Sequence, residues 1–321
     1  MKKILAMILS VVMLLTLAAC GDSGAAADDG KFVVGVCQID AHPALDAATQ
    51  GFKDALVAEF GDKVTFIDGN AAGDSNTLNT IIQDYVSKKV DLILANATPV
   101  LQTAATATSV IPILGTSVTE YGVALQLDDF DGLVGGNVSG TSDLAPLDKQ
   151  AQMVLDWCPD AKKVGLLYCS AEANSIYQVN QVKAYLEDKG VTCTEYSFAT
   201  TSDLSAVAEK AASESDAIYV PTDNTVANSA QLVDSICRAK KVPVIAGEEN
   251  ICAGCGIATL SISYYDLGMT TGKMAIQILK GEANISEMKI AYAETQTAKY
   301  NKELCEYLGI EPLEGYVAIG E

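Results

Sequence analysis

Asp223 follows the apolar run Ala217–Val220 with only Pro221 and Thr222 between, and no neighbour in sequence is basic. A carboxylate at such a strand end can hold an ammonium group through a charge-assisted hydrogen bond. It can equally cap the helix that starts near Val226. Asn224 offers both a donor and an acceptor, and Glu248 is a second anionic candidate. Asn174 and Ser175 open a helical run, where free N–H groups and the positive end of the helix dipole suit a carboxylate. Thr98 stands likewise before a helical run. Plain capping is compatible with both. Donors for a carboxylate and an acid for an amine together suit a zwitterion.

Signals that resemble enzymes do not hold. Gly21-Asp-Ser-Gly24 has the look of a serine-nucleophile loop but lies in a Gly/Ala/Asp linker. Gly268-Met-Thr-Thr-Gly-Lys273 is one residue short of a phosphate loop and ends in Met274 rather than Ser or Thr. His42 is the only histidine, so no triad and no zinc cluster can form around it. It is left with ligand contact or loop capping. No catalytic set, cofactor or metal is expected.

The elements that must position these residues alternate. Phe32–Cys37, Val64–Ile67, Asp91–Ala95 and Pro112–Leu114 read as strands. Between them Ala44–Glu59, Ser75–Ser87 and Val100–Thr108 carry helical periodicity. The series then repeats, with strands at Lys163–Cys169, Thr192–Ser197, Ala217–Val220 and Pro243–Ala246. Helices at Ser175–Lys189, Leu204–Ser213 and Val226–Ala239 separate them. Small details echo: Ile111-Pro-Ile-Leu-Gly115 answers Val242-Pro-Val-Ile-Ala-Gly247. This predicts an α/β chain with two similar doubly wound parallel-sheet lobes. Gly256–Ser263 and Met288–Ala293 read as further strands, and Tyr265–Lys280 and Asn301–Leu308 as further helices.

Lys2 and Lys3, the apolar run Ile4–Leu17 and then Ala18-Ala19-Cys20 read as a secretory signal at 1–19, too short for a membrane span. The Leu-Ala-Ala-Cys ending resembles the bacterial lipoprotein signal, cleaved before an acylated cysteine. Cys20 is then a lipid anchor, and 20–30 a flexible linker. Removing 1–19 leaves 302 residues and takes the formal charge from −20 to −22. That acidity argues against nucleic acid and against binding to anionic lipid other than through the anchor. Of the eight later cysteines, Cys37, Cys169 and Cys193 sit in apolar strands, and most read as free core thiols. Cys252-Ala-Gly-Cys255 reads as a cysteine-containing turn.

Seven segments carry a resemblance to a known family: His42-Pro-Ala-Leu-Asp46, Gly73-Asp-Ser-Asn76, Ala97-Thr-Pro99, Gly140-Thr-Ser-Asp143, Ser170-Ala-Glu-Ala-Asn-Ser175, Tyr219-Val-Pro-Thr-Asp-Asn-Thr225 and Tyr264-Tyr-Asp-Leu-Gly268. From about Lys31 to its end the chain resembles the ABC-transporter substrate-binding lipoproteins that include tryptophan- and tyrosine-binding members. The resemblance implies a type I periplasmic-binding architecture with a three-segment hinge. Lobe one is expected at 31–141 plus 265–288, and lobe two at 142–264 plus 289–321. Hinges are expected near Gly140–Asp143, Ser263–Tyr265 and Lys289–Tyr292.

A cleft between facing sheets is lined by the loops after their strands. Those loops put Gln38, His42, Thr98, Thr116, Ser170, Asn174, Ser175, Asp223, Asn224 and Glu248 forward as ligand-binding residues. Tyr121, Tyr168, Tyr177 and Tyr264 are candidate aromatic walls, whereas Trp157 reads as the end of a helix packed on lobe two. The implied function is a receptor, anchored on the extracytoplasmic face, that delivers an amino acid, aromatic by the family's precedent, to an ABC permease and its ATPase. A receptor for a sugar or other small polar solute, and a sensory module on the same fold, are the alternatives.

Overall fold

The computed structural model describes residues 31–293 and 295–320, so the signal segment, Cys20 and the linker lie outside the described residues. The first alternation comprises β1 (Phe32–Gln38), α1 (Pro43–Phe60), β2 (Val64–Asn70), α2 (Ser75–Lys88), β3 (Leu92–Asn96), α3 (Thr98–Ala107), β4 (Ile113–Val118), α4 (Tyr121–Leu125) and β5 (Val138–Ser142). The second comprises α5 (Leu147–Trp157), β6 (Lys163–Cys169), α6 (Ala173–Asp188), β7 (Thr192–Phe198), α7 (Thr201–Glu214), β8 (Ala217–Val220), α8 (Asn224–Asn228), α9 (Ala230–Lys240), β9 (Val244–Ala246), α10 (Glu249–Cys255) and β10 (Ala258–Ser261). The chain then returns to the first lobe with α11 (Tyr264–Leu279) and β11 (Ala291–Tyr292). It ends in the second with β12 (Thr297–Tyr300), α12 (Lys302–Leu308) and β13 (Val317–Ala318).

The sheets run β2-β1-β3-β4-β5-β11 and β7-β6-β8-β9-β10-β12-β13. Their first five strands have the same order, which is the repeat legible in the sequence. All pairings are parallel except β10 with β12. Helices cover both faces, so β3, β4, β5 and β8 are buried along their whole length.

Three expectations need correction. β11 pairs with β5 in the first sheet, so residues 291–292 belong with lobe one and the third crossing follows Tyr292. The helix expected over Val226–Ala239 is broken at Ser229, whose φ of −119° and ψ of 16° are not helical. Cys252 and Cys255 lie on α10 rather than in a turn, and both are buried. All eight described cysteines are free thiols.

Helix α11 lies against α1 with backbone touching backbone. A Cβ on Gly268 would stand 2.0 Å from the Ala48 carbonyl oxygen, and one on Gly51 would stand 2.1 Å from that of Tyr265. A Cβ on Gly272 would meet Ala55 Cβ at 2.5 Å. The Gly268–Lys273 run that looked like a truncated phosphate loop is thus a small-residue helix contact. It fixes α1, whose N-cap is His42. In lobe two, Trp157 ends α5 under the C-terminal segment, its ring 5.0 Å from that of Tyr316 and 6.3 Å from that of Tyr300.

Candidate functional site

In each sheet the first strand lies between the second and the third. The chain therefore leaves the first strand in one direction and returns on its other side, and a crevice opens beyond the carboxyl ends at that switch point. The loops after β1, β6 and β8 meet there. A small, nearly closed crevice lies between them. Lobe one supplies His42, Leu45, Ser117 and Thr119 to its wall. Lobe two supplies Asn174, Thr222, Asp223, Asn224, Ala227 and Glu248, and the crossings supply Asp143 and Tyr264. The wall holds three carboxylates and neither Lys nor Arg.

His42 bridges the lobes, its Nε2 lying 3.3 Å from Asn224 Oδ1. Asn224 is oriented by Glu172, whose Oε2 accepts from Asn224 Nδ2 at 2.6 Å. With the Asn224 oxygen turned to the ring, Nε2 carries the proton and donates. Nδ1 is then an acceptor in the neutral ring. Burial pulls the His42 pKa down, against the raising pull of the Asn224 bond and of Glu172, Asp40 and Asp46. The ring makes no cap hydrogen bond to α1. Asn174 is oriented in the same way: its Nδ2 donates to the Thr222 carbonyl at 2.9 Å, which leaves Oδ1 as an acceptor.

The three acids are not equivalent. Asp223 caps α8 and accepts from Val226 N at 2.9 Å, Cys169 N at 2.7 Å and Ser175 Oγ at 2.8 Å. Burial and the charge of Glu172 push its pKa up. Glu248 caps α10, accepting from Asn250 N at 2.7 Å and Ile251 N at 2.5 Å. Burial, with a smaller contribution from Asp143, raises it to about 7. Asp143 accepts from the Tyr264 hydroxyl at 3.0 Å through Oδ2, and burial raises its pKa against the lowering pull of the Thr119 and Tyr264 hydroxyls.

Among the described residues, seven buried side-chain polar atoms have no hydrogen-bond partner, and four of them belong to residues that line this cavity: His42 Nδ1, Ser117 Oγ, Asp143 Oδ1 and Asn174 Oδ1. A buried polar group left unpaired costs about 1–3 kcal/mol, so such a concentration marks a place built to receive polar groups. Three of the four are acceptors. The wall therefore favours a ligand rich in donors.

Of the residues put forward from sequence, His42, Asn174, Asp223, Asn224 and Glu248 line the cavity. The other five do not. Gln38 is held within lobe one by Thr49, Asp46 and the Asp40 carbonyl. Thr98 is buried in the first turn of α3, and Thr116 is buried beside Thr141. Ser170 donates to the Phe198 carbonyl, and Ser175 lies behind the wall on Asp223. Tyr264 is the one candidate aromatic on the wall. Tyr121, Tyr168 and Tyr177 lie elsewhere, the first two donating to the Thr141 carbonyl and to Glu195. The residues that sequence reasoning passed over are Ser117, Asp143 and Glu172. Two of them sit inside the quoted segments Gly140–Asp143 and Ser170–Ser175, which was the available signal.

The family profile of ABC transporter substrate binding proteins matches residues 33–317. The chain belongs to this family. A tyrosine-binding protein of Clostridioides difficile is 32% identical over 97% of this chain and 94% of its own length. An ABC domain from Streptococcus pneumonia, solved in complex with L-Trp, is 32% identical with a TM-score of 0.85, covering 90% of this chain and 100% of that one. A ligand-free, open substrate-binding protein with adhesive properties from Clostridium difficile is 35% identical, yet its TM-score is only 0.68 over 90% of this chain and 99% of that one. Despite the lower identity, this substrate-binding protein superposes better on the L-Trp complex than on the open structure. Among its described residues no helix is long and apolar enough to cross a membrane.

The raised acid in this substrate-binding protein has a testable sign. Between the ordinary glutamate pKa of 4.5 and about 7, the folded protein holds a proton on Glu248 that the unfolded chain has lost. Stability from this group is therefore greatest at low pH and falls as pH rises through that window. Glu248→Gln removes the titration. The stability of the wild type relative to Glu248→Gln should fall by about 3 kcal/mol between pH 4.5 and pH 7.5. Urea unfolding of both proteins across that range measures it, and a constant difference would mean Glu248 titrates normally.

Proposed function

We propose that this chain binds a single L-amino acid with an aromatic side chain between its lobes and delivers it to an ABC permease and its ATPase. It does so without turnover, outside the cytoplasmic membrane, held there through an acylated Cys20. The observation that carries the reading is the cavity wall: three carboxylates, two further unpaired acceptors on His42 and Asn174 and no cation, the complement of an ammonium group. Ser117 Oγ is available to donate to a carboxylate. Leu45, His42 and Tyr264 give the cavity apolar and aromatic wall. The choice of an aromatic side chain rests on the tyrosine-binding and L-Trp-bound relatives.

Calorimetry on protein shown to be ligand-free tests the reading with L-tryptophan, L-tyrosine and L-phenylalanine against glucose and glycine. At least one aromatic amino acid should bind. At a free concentration 100 times its Kd it should stabilise the fold by about 2.7 kcal/mol, seen as a higher Tm. Binding of glucose, or of no aromatic amino acid at millimolar concentration, would end the proposal.

A further inference from the structure

Asp143 closes the first crossing between the lobes, one residue past β5, and Tyr264 opens α11 at the second. The Tyr264 hydroxyl donates to Asp143 Oδ2 at 3.0 Å and so ties the two crossings together. Asp143 Oδ1 is the one carboxylate oxygen among the buried, unpartnered side-chain atoms of the described residues, and Asp143, 5% exposed, is one of the residues that line the cavity. The groups that act on it are Thr119 from the end of β4, Tyr264 from α11, Glu248 from the N-terminus of α10 and Tyr121 from α4. None is a cation. The other two acids of the wall are already occupied: Asp223 by three donors of its own lobe, Glu248 by the N-terminus of α10 and the side chain of Asn250. A buried carboxylate with one free oxygen and no counter-ion is the place where an incoming positive charge gains most, because its charge is otherwise uncompensated.

We propose that Asp143, through Oδ1, is the carboxylate that holds the ammonium of the ligand, which places the charged end of that ligand against the two crossings of the hinge. This rests on the amino-acid reading above. Asp223, although on the wall, then serves as the cap of α8 and the acceptor for Ser175. Asn174 Oδ1 and His42 Nδ1 are the remaining unpartnered acceptors of the wall for the other ammonium protons.

The test measures the affinity of wild type, Asp143→Asn and Asp223→Asn for L-tryptophan and for indole-3-propionate, its analogue without the amine. Asp143→Asn keeps the volume and the Tyr264 contact and removes an uncompensated charge. It should weaken L-tryptophan at least about 30-fold while changing indole-3-propionate by less than about 3-fold. Asp223→Asn should change both ligands alike. Equal losses for both ligands in Asp143→Asn, or an unchanged affinity for L-tryptophan, overturns the assignment. A crystal structure of the wild-type complex decides the matter even if the variant does not fold. The amine nitrogen within about 3.2 Å of Asp143 Oδ1 supports it, and an amine on Asp223 or Glu248 overturns it. Failure of the wild type to bind any of the three aromatic amino acids is the separate result that removes the amino-acid reading, and this inference with it.

Discussion

Gly268→Ala is expected to destabilise the protein by about 3 kcal/mol, against the sign that helix propensity alone would give. Replacing a helical glycine by alanine ordinarily gains about 1 kcal/mol, because the unfolded chain loses freedom. Here the new methyl would stand 2.0 Å from the Ala48 carbonyl oxygen and 2.8 Å from its carbonyl carbon. Those are backbone atoms of α1, which cannot turn aside as a flexible side chain would. The two helices must separate, and the layer beneath them, with Phe52, Leu56 and Met274 buried in it, loses its packing. A loss of this size is a large part of the 5–15 kcal/mol that holds a typical domain folded. Gly272→Ala should cost less, since its nearest neighbour is the Ala55 methyl at 2.5 Å. Urea unfolding of both variants measures the effect. A Gly268→Ala protein as stable as the wild type would mean that α1 and α11 do not touch at their backbones.

Glu172→Ala is expected to cost about 3 kcal/mol of stability and at least about 10-fold in ligand affinity, although Glu172 is not on the cavity wall. Its two carboxylate oxygens accept from Asn224 N and Nδ2, from Thr225 N and Oγ1, and from Asn174 Nδ2. One side chain thus joins the loop after β6 to the loop after β8. It also turns the Asn224 oxygen toward His42 and so decides which ring nitrogen bears the proton. Removal leaves these donors to water or to nothing and lets the two loops move apart. Loss of its charge also relieves Asp223, whose pKa Glu172 helps to raise. Calorimetry with the natural ligand and urea unfolding report the two effects separately. A variant with normal affinity would show that the loops hold their shape without it.

The parts of the fold that were legible are those whose pattern is set by burial on both faces. β6 and β8 were read with their observed ends, because an apolar run between polar turns has no other reading. β5 was not, since Val138-Ser-Gly-Thr-Ser142 is polar yet wholly buried. Its side chains are satisfied by partners far along the chain, Ser139 by the Met288 carbonyl and Thr141 by Thr271. The same distance hid Asp143 as a wall residue, because what shapes its role is Tyr264, 121 residues on. The loop after the Pro112–Leu114 strand put Thr116 forward, but the strand continues to Val118, shifts register between Gly115 and Val118, and Ser117 adopts a φ of +53°. The residue that lines the cavity is therefore Ser117. His42, Asn174, Asp223 and Asn224 were legible because a polar residue just past a buried parallel strand has few places to be except at the crevice.

The position of Trp157 has a spectroscopic consequence. The sole tryptophan is 4% exposed at the end of α5, against Tyr300 and Tyr316 in the layer of lobe two built by the C-terminal segment, and it is not on the cavity wall. Its emission therefore reports the packing of the C-terminal segment on lobe two rather than occupancy of the cleft. Fluorescence-detected unfolding follows lobe two, while circular dichroism follows both lobes. Curves that coincide mean the lobes melt together, and curves that separate reveal which gives way first.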